Sequence, residues 1–566
     1  MTSGPGGDFD ELVSAQNGVI GHDVATTGTL TAAQPKHAFP DHVDRTHRST
    51  RLDAWWGRVL GTPARQRAWT WIGPALVTIL AAVLRLWHLG HPNTLVFDET
   101  YYVKDAWSLW NLGYEGSWPA NPDPQFAAGK VNIFLQAGSY VAHPPLGKWI
   151  IGLGMAVVGP TNPASWRIST AVVGILSVLI VTLLARHLFR SNVLGVLAGF
   201  LMAIDGNAIV MSRVSLLDNF VMFFALLGFS AILLDRRWTA RRLERWVTRM
   251  DHAGRDLTWG PVLWWRPWLI AAGLMLGAAS AVKWNGVYFL AAFAIYSVAV
   301  DMAARRRAGV EFWGTGTIFR QGPATFLLMV PIALATYLAS WTGWFVTKGG
   351  YYREWIAQGG ERWKGALAWV PDSVQNFWHY QASIYQFNVG LSTPHPYQAN
   401  PLLWLLMQRP TSMYYLGLSK GQAGCTTDRC GEAITGIANP LIWYAAVLAS
   451  AYLVYRLARY REWRYGLILA GLGAGYLPWL MYLHRTVFQF YTIAFEPYLI
   501  LGLVAVCGII LGKRTDAWNR RLSGIRVVGI LVVLSALLSI YYYPMWTATL
   551  ENWPFINSHY WLLSWK

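Results

Sequence analysis

Charged side chains are scarce: Asp, Glu, Lys and Arg make up 13% of the 566 residues, against about 25% in ordinary soluble domains. So few charges cannot cover the water-exposed surface of a protein this long, which excludes a soluble globular chain. Acid is scarcer than base, with 29 Asp and Glu against 46 Lys and Arg and a formal net charge of +17. That excess suits nucleic acid only where the basic residues share one face. Here they fall in short blocks between apolar runs, so nucleic acid is excluded as a partner. Cysteine is also scarce, with three residues. Cys507 lies in an apolar run and reads as a buried thiol. Cys425 and Cys430, in the polar stretch CTTDRC, can form a disulfide if that loop faces an oxidising compartment, and are otherwise free thiols. Nothing apolar precedes Trp69, so no secretory signal peptide is visible. Residues 1–66, largely polar and without an apolar core of their own, read as a disordered cytoplasmic tail.

What the chain has in quantity is apolar and aromatic surface, with 54% hydrophobic residues, 33 Trp and 27 Tyr. Aromatic rings gather at the two faces of a bilayer. Runs near 69–88, 164–185, 193–211, 215–235, 323–347, 436–456, 465–483, 488–511 and 525–546 are long enough to cross one. The stretch 267–303 divides in two at Lys283-Trp284-Asn285-Gly286. The reading is an all-α polytopic membrane protein with about eleven transmembrane helices of roughly 20 residues each. The positive-inside rule then places RHLFR, RRWTARRLERW, RRR, RLARYREWR and KRTDAWNRR on the cytoplasmic side with the N-terminus. Counting the short apolar run 147–159 as a span would put RRWTARRLERW outside, so it reads as a re-entrant or interfacial helix. The domain plan is a transmembrane module over 67–347, a second outer loop over 348–435, C-terminal helices over 436–546 and an outer tail over 547–566.

The first outer loop, 89–163, opens with LVFDETYYVKDAW. Its adjacent Asp98 and Glu99 could take a proton from an attacking hydroxyl, bind a divalent cation, or complement a helix dipole. Further on, in AHPPLGK, His143 precedes a rigid Pro pair and Lys148 stands at interface height. That lysine could snorkel to water or meet an anionic lipid headgroup. Arg85, Arg167, Asp205, Arg213, Asp218, Lys283 and Arg485 all fall within or at the ends of spans. Charges there are expensive and usually face a protein cavity. All seven lie toward the face that carries Asp98. Converging cations beside carboxylates suit a lipid phosphate, which they would hold by charge-assisted hydrogen bonds and stabilise as a leaving group.

At FDETYY, HPPLGK, WRIST, SRVSLLDNF, KWNG and HRTVFQFY the chain resembles the protein O-mannosyltransferase family. RPTSMYY and HPYQANP are similar to its bacterial, particularly actinobacterial, branch. The resemblance implies a C-type glycosyltransferase fold in a bacterial plasma membrane, with the active site and C-terminus extracytoplasmic. The donor would be a polyprenyl-monophosphate mannose. The acceptor would be a Ser or Thr hydroxyl of a secreted polypeptide, with the secretion translocon a candidate neighbour. Asp98 would be the base, with inversion at the anomeric carbon, and Glu99 would position the acceptor or the sugar. Arg167, Lys283 and Arg485 would hold the phosphate, and Arg85 and Arg213 would support the carboxylates. His143, Lys148 and Asp218 are further candidates for substrate binding or support. No cofactor is certain, and a divalent cation stays open, although no cluster of His and carboxylates has metal-ligand spacing. His379 and His395 read as packing histidines. The 348–435 loop lacks the repeats of the β-trefoil domain found in the eukaryotic pattern, which leaves acceptor choice in doubt.

Two other readings fit part of these features. A sister enzyme of the same fold would move another sugar, or use a lipid or glycan acceptor. A transporter would also have broken spans and buried charges, but would place its site near the midplane and often show internal repeats. No second copy of FDE, HPPLGK or KWNG occurs.

Overall fold

Among the described residues, 49–566 of a computed structural model, seven helices are long and apolar enough to cross a membrane: Pro63–Leu86, Pro163–Phe189, Asp218–His252, Gly286–Arg307, Trp313–Ser340, Pro440–Tyr460 and Trp518–Tyr542. An eighth span results if Asn192–Ile204 and Gly206–Arg213, bent by 61°, count as one. The break has a local cause. Asp205 leaves the helical conformation and its carboxylate accepts from the Asn207 and Ala208 N–H groups, capping the second half. Gly206 fits there because a Cβ would lie 2.2 Å from the Ile437 carbonyl oxygen and the Trp546 ring.

The other three expected spans are helices that fall short of the bilayer by length. Pro267–Val282 and Glu496–Leu511 have 16 residues each, and Trp463–Tyr476 has 14 before a 3-10 turn at Leu477–Met481. At about 1.5 Å per residue, even 16 residues reach only about 24 Å of a roughly 30 Å hydrocarbon core. Each stops at the end where Lys283 and the segment 482–495 lie, so irregular backbone there is buried in protein rather than lipid. Leu146–Val158, at 13 residues, is shorter still, and packs between Glu99–Leu112 and Pro163–Phe189.

The expectation of a disordered tail partly lies outside the described residues, over 1–48. From residue 50 onward it is corrected: Arg51–Val59 is a helix, capped by the Thr50 hydroxyl accepting from the Asp53 N–H, and Pro63 begins the first span. The 348–435 loop is also more ordered than a connector. It holds the helix Asp372–Gly390 and an antiparallel hairpin of Ser412–Ser419 with Arg429–Thr435. Glu551–Asn552 adds a third strand from the C-terminal tail. The Cys425 and Cys430 sulfurs are bonded near the tip of the hairpin.

At the opposite end of the bundle from Lys283, Arg266 precedes Pro267–Val282 and is 1% exposed. It donates to Asp301 at 2.6 Å and to both carboxylate oxygens of Asp235, tying three helices together. Removing one partner of such a group leaves uncompensated buried charge, at about 3–5 kcal/mol. Arg266→Met should therefore lower the thermal unfolding temperature of the detergent-solubilised chain by many degrees, and an unchanged midpoint would show that the network is dispensable.

Candidate active site

The loop after the first span turns sharply into its helix. Phe97 adopts a left-handed φ of 50°, Asp98 is the N-cap, and Glu99–Leu112 follows. The two neighbouring carboxylates thereby enter different surroundings. Glu99 is fully buried. It accepts from Arg167 through both oxygens at 2.8 Å, and from the Ser215 and Val96 N–H groups at 2.8 and 3.0 Å. Arg167 is saturated as well. Its remaining N–H groups donate to the Leu89, Pro92 and Thr94 carbonyls, so all five of its donors are in use. This corrects two expectations. Arg167 has no donor left for a phosphate, and Glu99 has no lone pair directed at a substrate. Together they clasp the loop to the second span.

Asp98 has no such partners. Its side chain makes no capping hydrogen bond. Burial raises its carboxyl to about 6; Asp218 adds to the shift, while Lys283 and the Tyr102 hydroxyl oppose it. Lys283, at the break between two helices, donates to both oxygens of Asp218 at 2.8 and 3.0 Å. An ammonium has three donors, so one remains. The Lys283 ammonium stands 4.1 Å above the centre of the Tyr491 ring, and Tyr491 lies within electrostatic reach of Asp98, Asp218 and Arg485 as well.

Arg485 and Lys283 line the same open-mouthed cleft, of about 100 Å³, together with His143, Asn285, Tyr385 and Asn388. The Arg485 guanidinium donates once, to the Asn388 side-chain oxygen at 3.0 Å, and its buried Nε has no partner. Asn388 in turn donates to the Ala142 carbonyl beside His143. His143 is held neutral: burial, then Lys283, Arg485 and Lys148, all lower its pKa. The sequence singled out neither Asn388 nor Tyr102. Tyr102 closes the FDETYY motif without being given a role there, whereas no motif marks Asn388, whose partners are far away in the chain.

Three other candidates lie elsewhere. Lys148 does not reach the interface: it is 1% exposed and paired with Glu115 at 2.5 Å, with Asp105 at 3.8 Å. Burial raises the Asp105 carboxyl to about 7. Arg85 donates to the Ala203 and Met202 carbonyls and to Ser212, and Arg213 to the carbonyls of Arg85, Trp87 and His88. Arg85 thus ties the first span to the end of Asn192–Ile204 and Arg213 pins the end of the first span, and neither supports the Asp98–Glu99 carboxylates. His379 stacks on Trp355 at 3.8 Å, and His395 packs among Phe97, Phe488 and Tyr397. Among the described residues, no three His, Cys, Asp or Glu side chains converge as metal ligands.

The family model for dolichyl-phosphate-mannose-protein mannosyltransferase matches residues 75–344, and that for the C-terminal four-transmembrane region of protein O-mannosyltransferase matches 373–565. A polyprenol-phosphate-mannose–protein mannosyltransferase of Mycobacterium tuberculosis is 33% identical over 504 residues, covering 88% of this chain and 92% of that one. The chain belongs to the protein O-mannosyltransferase family. A member from Corynebacterium glutamicum is 30% identical, with 86% of each chain covered. The fold of this family member is also that of the Saccharomyces cerevisiae protein O-mannosyltransferase Pmt1-Pmt2 complex solved with its sugar donor. The TM-score is 0.66 at 13% identity, over 92% of this chain and 95% of that one. This O-mannosyltransferase family member is thus a multi-pass membrane glycosyltransferase.

The two carboxylates should separate by stability. The folded-state pKa of Asp98 lies above its unfolded value, so its ionised form costs stability, fully so above about pH 6. Asp98→Asn should leave the melting temperature at neutral pH unchanged or raised. Glu99→Gln and Arg167→Gln each break the buried clasp and should lower it. Equal melting temperatures for all three variants would contradict the clasp.

Proposed function

We propose that this chain transfers mannose from a polyprenyl-monophosphate mannose to Ser or Thr hydroxyls of secreted polypeptides, on the outer face of a bacterial plasma membrane. The observation that carries the reading is that Asp98, which forms no ion pair among the described residues, lies within electrostatic reach of Lys283, which shares a cleft with Arg485, while Tyr491 lies within reach of all three. The names of the mycobacterial and corynebacterial relatives supply the sugar and the class of acceptor.

In this reading the donor phosphate lies in the cleft, against the third Lys283 N–H and the Arg485 guanidinium. The acceptor hydroxyl approaches from the Asp98 side. Asp98 takes its proton as the oxygen bonds to the anomeric carbon, and the bond from that carbon to the phosphate oxygen breaks. The bonding electrons leave on that oxygen, so the departing polyprenyl phosphate gains a second negative charge, which the two cations stabilise. Glu99 is locked to Arg167, so a single carboxylate is free. One base with no second nucleophile suits a single displacement with inversion. Asp218 orients Lys283, Asn388 orients Arg485, and neutral His143 lines the cleft without adding charge. The basic blocks between spans support a cytoplasmic N-terminus and an extracytoplasmic site and C-terminus. An acceptor met on that face would still be unfolded as it leaves the translocon.

Labelled polyprenyl-phosphate mannose and a Ser/Thr-rich peptide test the reading. Peptide mannosylation should fall away below about pH 6, as Asp98 protonates, and vanish in Asp98→Asn. Lys283→Ala and Arg485→Ala should each raise KM for the donor about 10- to 100-fold, since hydrogen bonds to charged groups contribute about 1.5–3 kcal/mol. Sugar appearing only on lipid, or turnover retained in Asp98→Asn, would overturn it.

A further inference from the structure

The helix Arg51–Val59 has no buried residue. Leu52, Trp55, Trp56 and Val59 recur at the spacing of one helical face. Of these, Leu52, Trp55 and Val59 are 43%, 47% and 38% exposed. Nine residues are fewer than the roughly 12–15 that sustain a helix alone in water. The protein supports it at one end and one flank, through the Thr50 cap and the Asp53 carboxylate held by Arg521 at 2.9 and 3.1 Å. Among the described residues, Trp69 packs against Trp56 of its apolar stripe, and Leu52, Trp55 and Val59 stay exposed.

The helix does not prolong the first span. The Trp56 and Trp69 rings are 5.0 Å apart, whereas thirteen residues of continuous helix would separate them by about 20 Å. The Gln66 amide also donates to the Leu60 carbonyl at 2.9 Å. The chain therefore doubles back beside the mouth of the span. Charge is distributed to match. On a helical wheel of about 100° per residue, Arg51 and Arg58 fall together on one edge of the apolar stripe. Arg65 and Arg67 follow at the start of the span. The only acidic residue between 51 and 67 is Asp53, which Arg521 neutralises. Arg521, the Thr50 hydroxyl and Arg514 lower its carboxyl pKa, which places the basic turn before Trp518–Tyr542 beside the helix.

We propose that Arg51–Val59 lies in the membrane–water interface as an anionic-lipid-binding helix. Leu52, Trp55 and Val59 enter the acyl boundary, and Arg51 and Arg58, joined by Arg65, meet lipid phosphates. The occupant follows from continuity with the first span, which already crosses that bilayer, and from the uncompensated positive edge. The inference does not depend on the catalytic reading.

Site-directed spin labelling of the full chain tests it. Cys425 and Cys430 are bridged and Cys507 is buried, so one introduced cysteine is the reactive thiol. Labels at Leu52→Cys, Ala54→Cys, Gly57→Cys and Val59→Cys are compared in phosphatidylcholine discs with and without phosphatidylglycerol. The expected result is oxygen accessibility several-fold above nickel-chelate accessibility at 52 and 59, with the reverse at 54 and 57. The depth at 52 and 59 should increase with phosphatidylglycerol, and Arg51→Gln with Arg58→Gln should abolish that increase. Uniform water accessibility, no response to phosphatidylglycerol, or spin–spin broadening from a second copy on the same face would each overturn the proposal.

Discussion

The Glu99–Arg167 pair is the constraint on which the site depends. A buried ion pair is worth keeping only where geometry and further hydrogen bonds offset the loss of hydration. Here the offset is complete on both sides: Glu99 accepts from Arg167 and two backbone N–H groups, and every Arg167 N–H has an acceptor. The clasp fixes the start of the Glu99–Leu112 helix against the second span. It thereby fixes Asp98, one residue earlier, in a half-buried position beside the Tyr102 hydroxyl and without an ion pair of its own. Two adjacent acids of the same chemistry thus take opposite parts, one structural and clasped by Arg167, the other with its carboxyl raised to about 6 by burial.

The same accounting of donors sorts the remaining cations. Arg167 and Arg213 hold backbone carbonyls of the first span and its loop, Arg85 holds those of Met202 and Ala203, Lys148 belongs to Glu115, and Arg266 belongs to two aspartates. Lys283 and Arg485 alone among the cations first singled out combine a place in the cleft with unused N–H groups. The bundle supports this arrangement by leaving three helices short at that end. The polar backbone and the aromatic rings of Phe488, Phe490 and Tyr491 then fill the depth that a full span would occupy.

Much of this was legible in the sequence. Apolar runs located every membrane-embedded helix, because burial in lipid demands long apolar stretches regardless of packing. The break at Lys283-Trp284-Asn285 and the grouping of Asp98, Lys283 and Arg485 at one face could be read from the side on which charges interrupt those runs. Hydropathy does not report where a helix stops short within such a run, so 267–282, 463–476 and 496–511 looked like full spans. Nor could the sequence distribute the partners. Arg167 and Glu99 are 68 residues apart, and whether an arginine serves a phosphate or five protein acceptors depends on loops that fold over it. The Arg51–Val59 helix was hidden because its support comes from Arg521, far along the chain. The three-stranded sheet was hidden because one of its strands is only two residues long.

The most direct measurement is the position of the phosphate in a density map of the full chain in a lipid disc with polyprenyl-monophosphate mannose bound. The account places it between the Lys283 ammonium and the Arg485 guanidinium, with the anomeric carbon turned toward Asp98. A phosphate seated against Arg167 or Arg85, or a sugar held on the side away from Asp98, would contradict it.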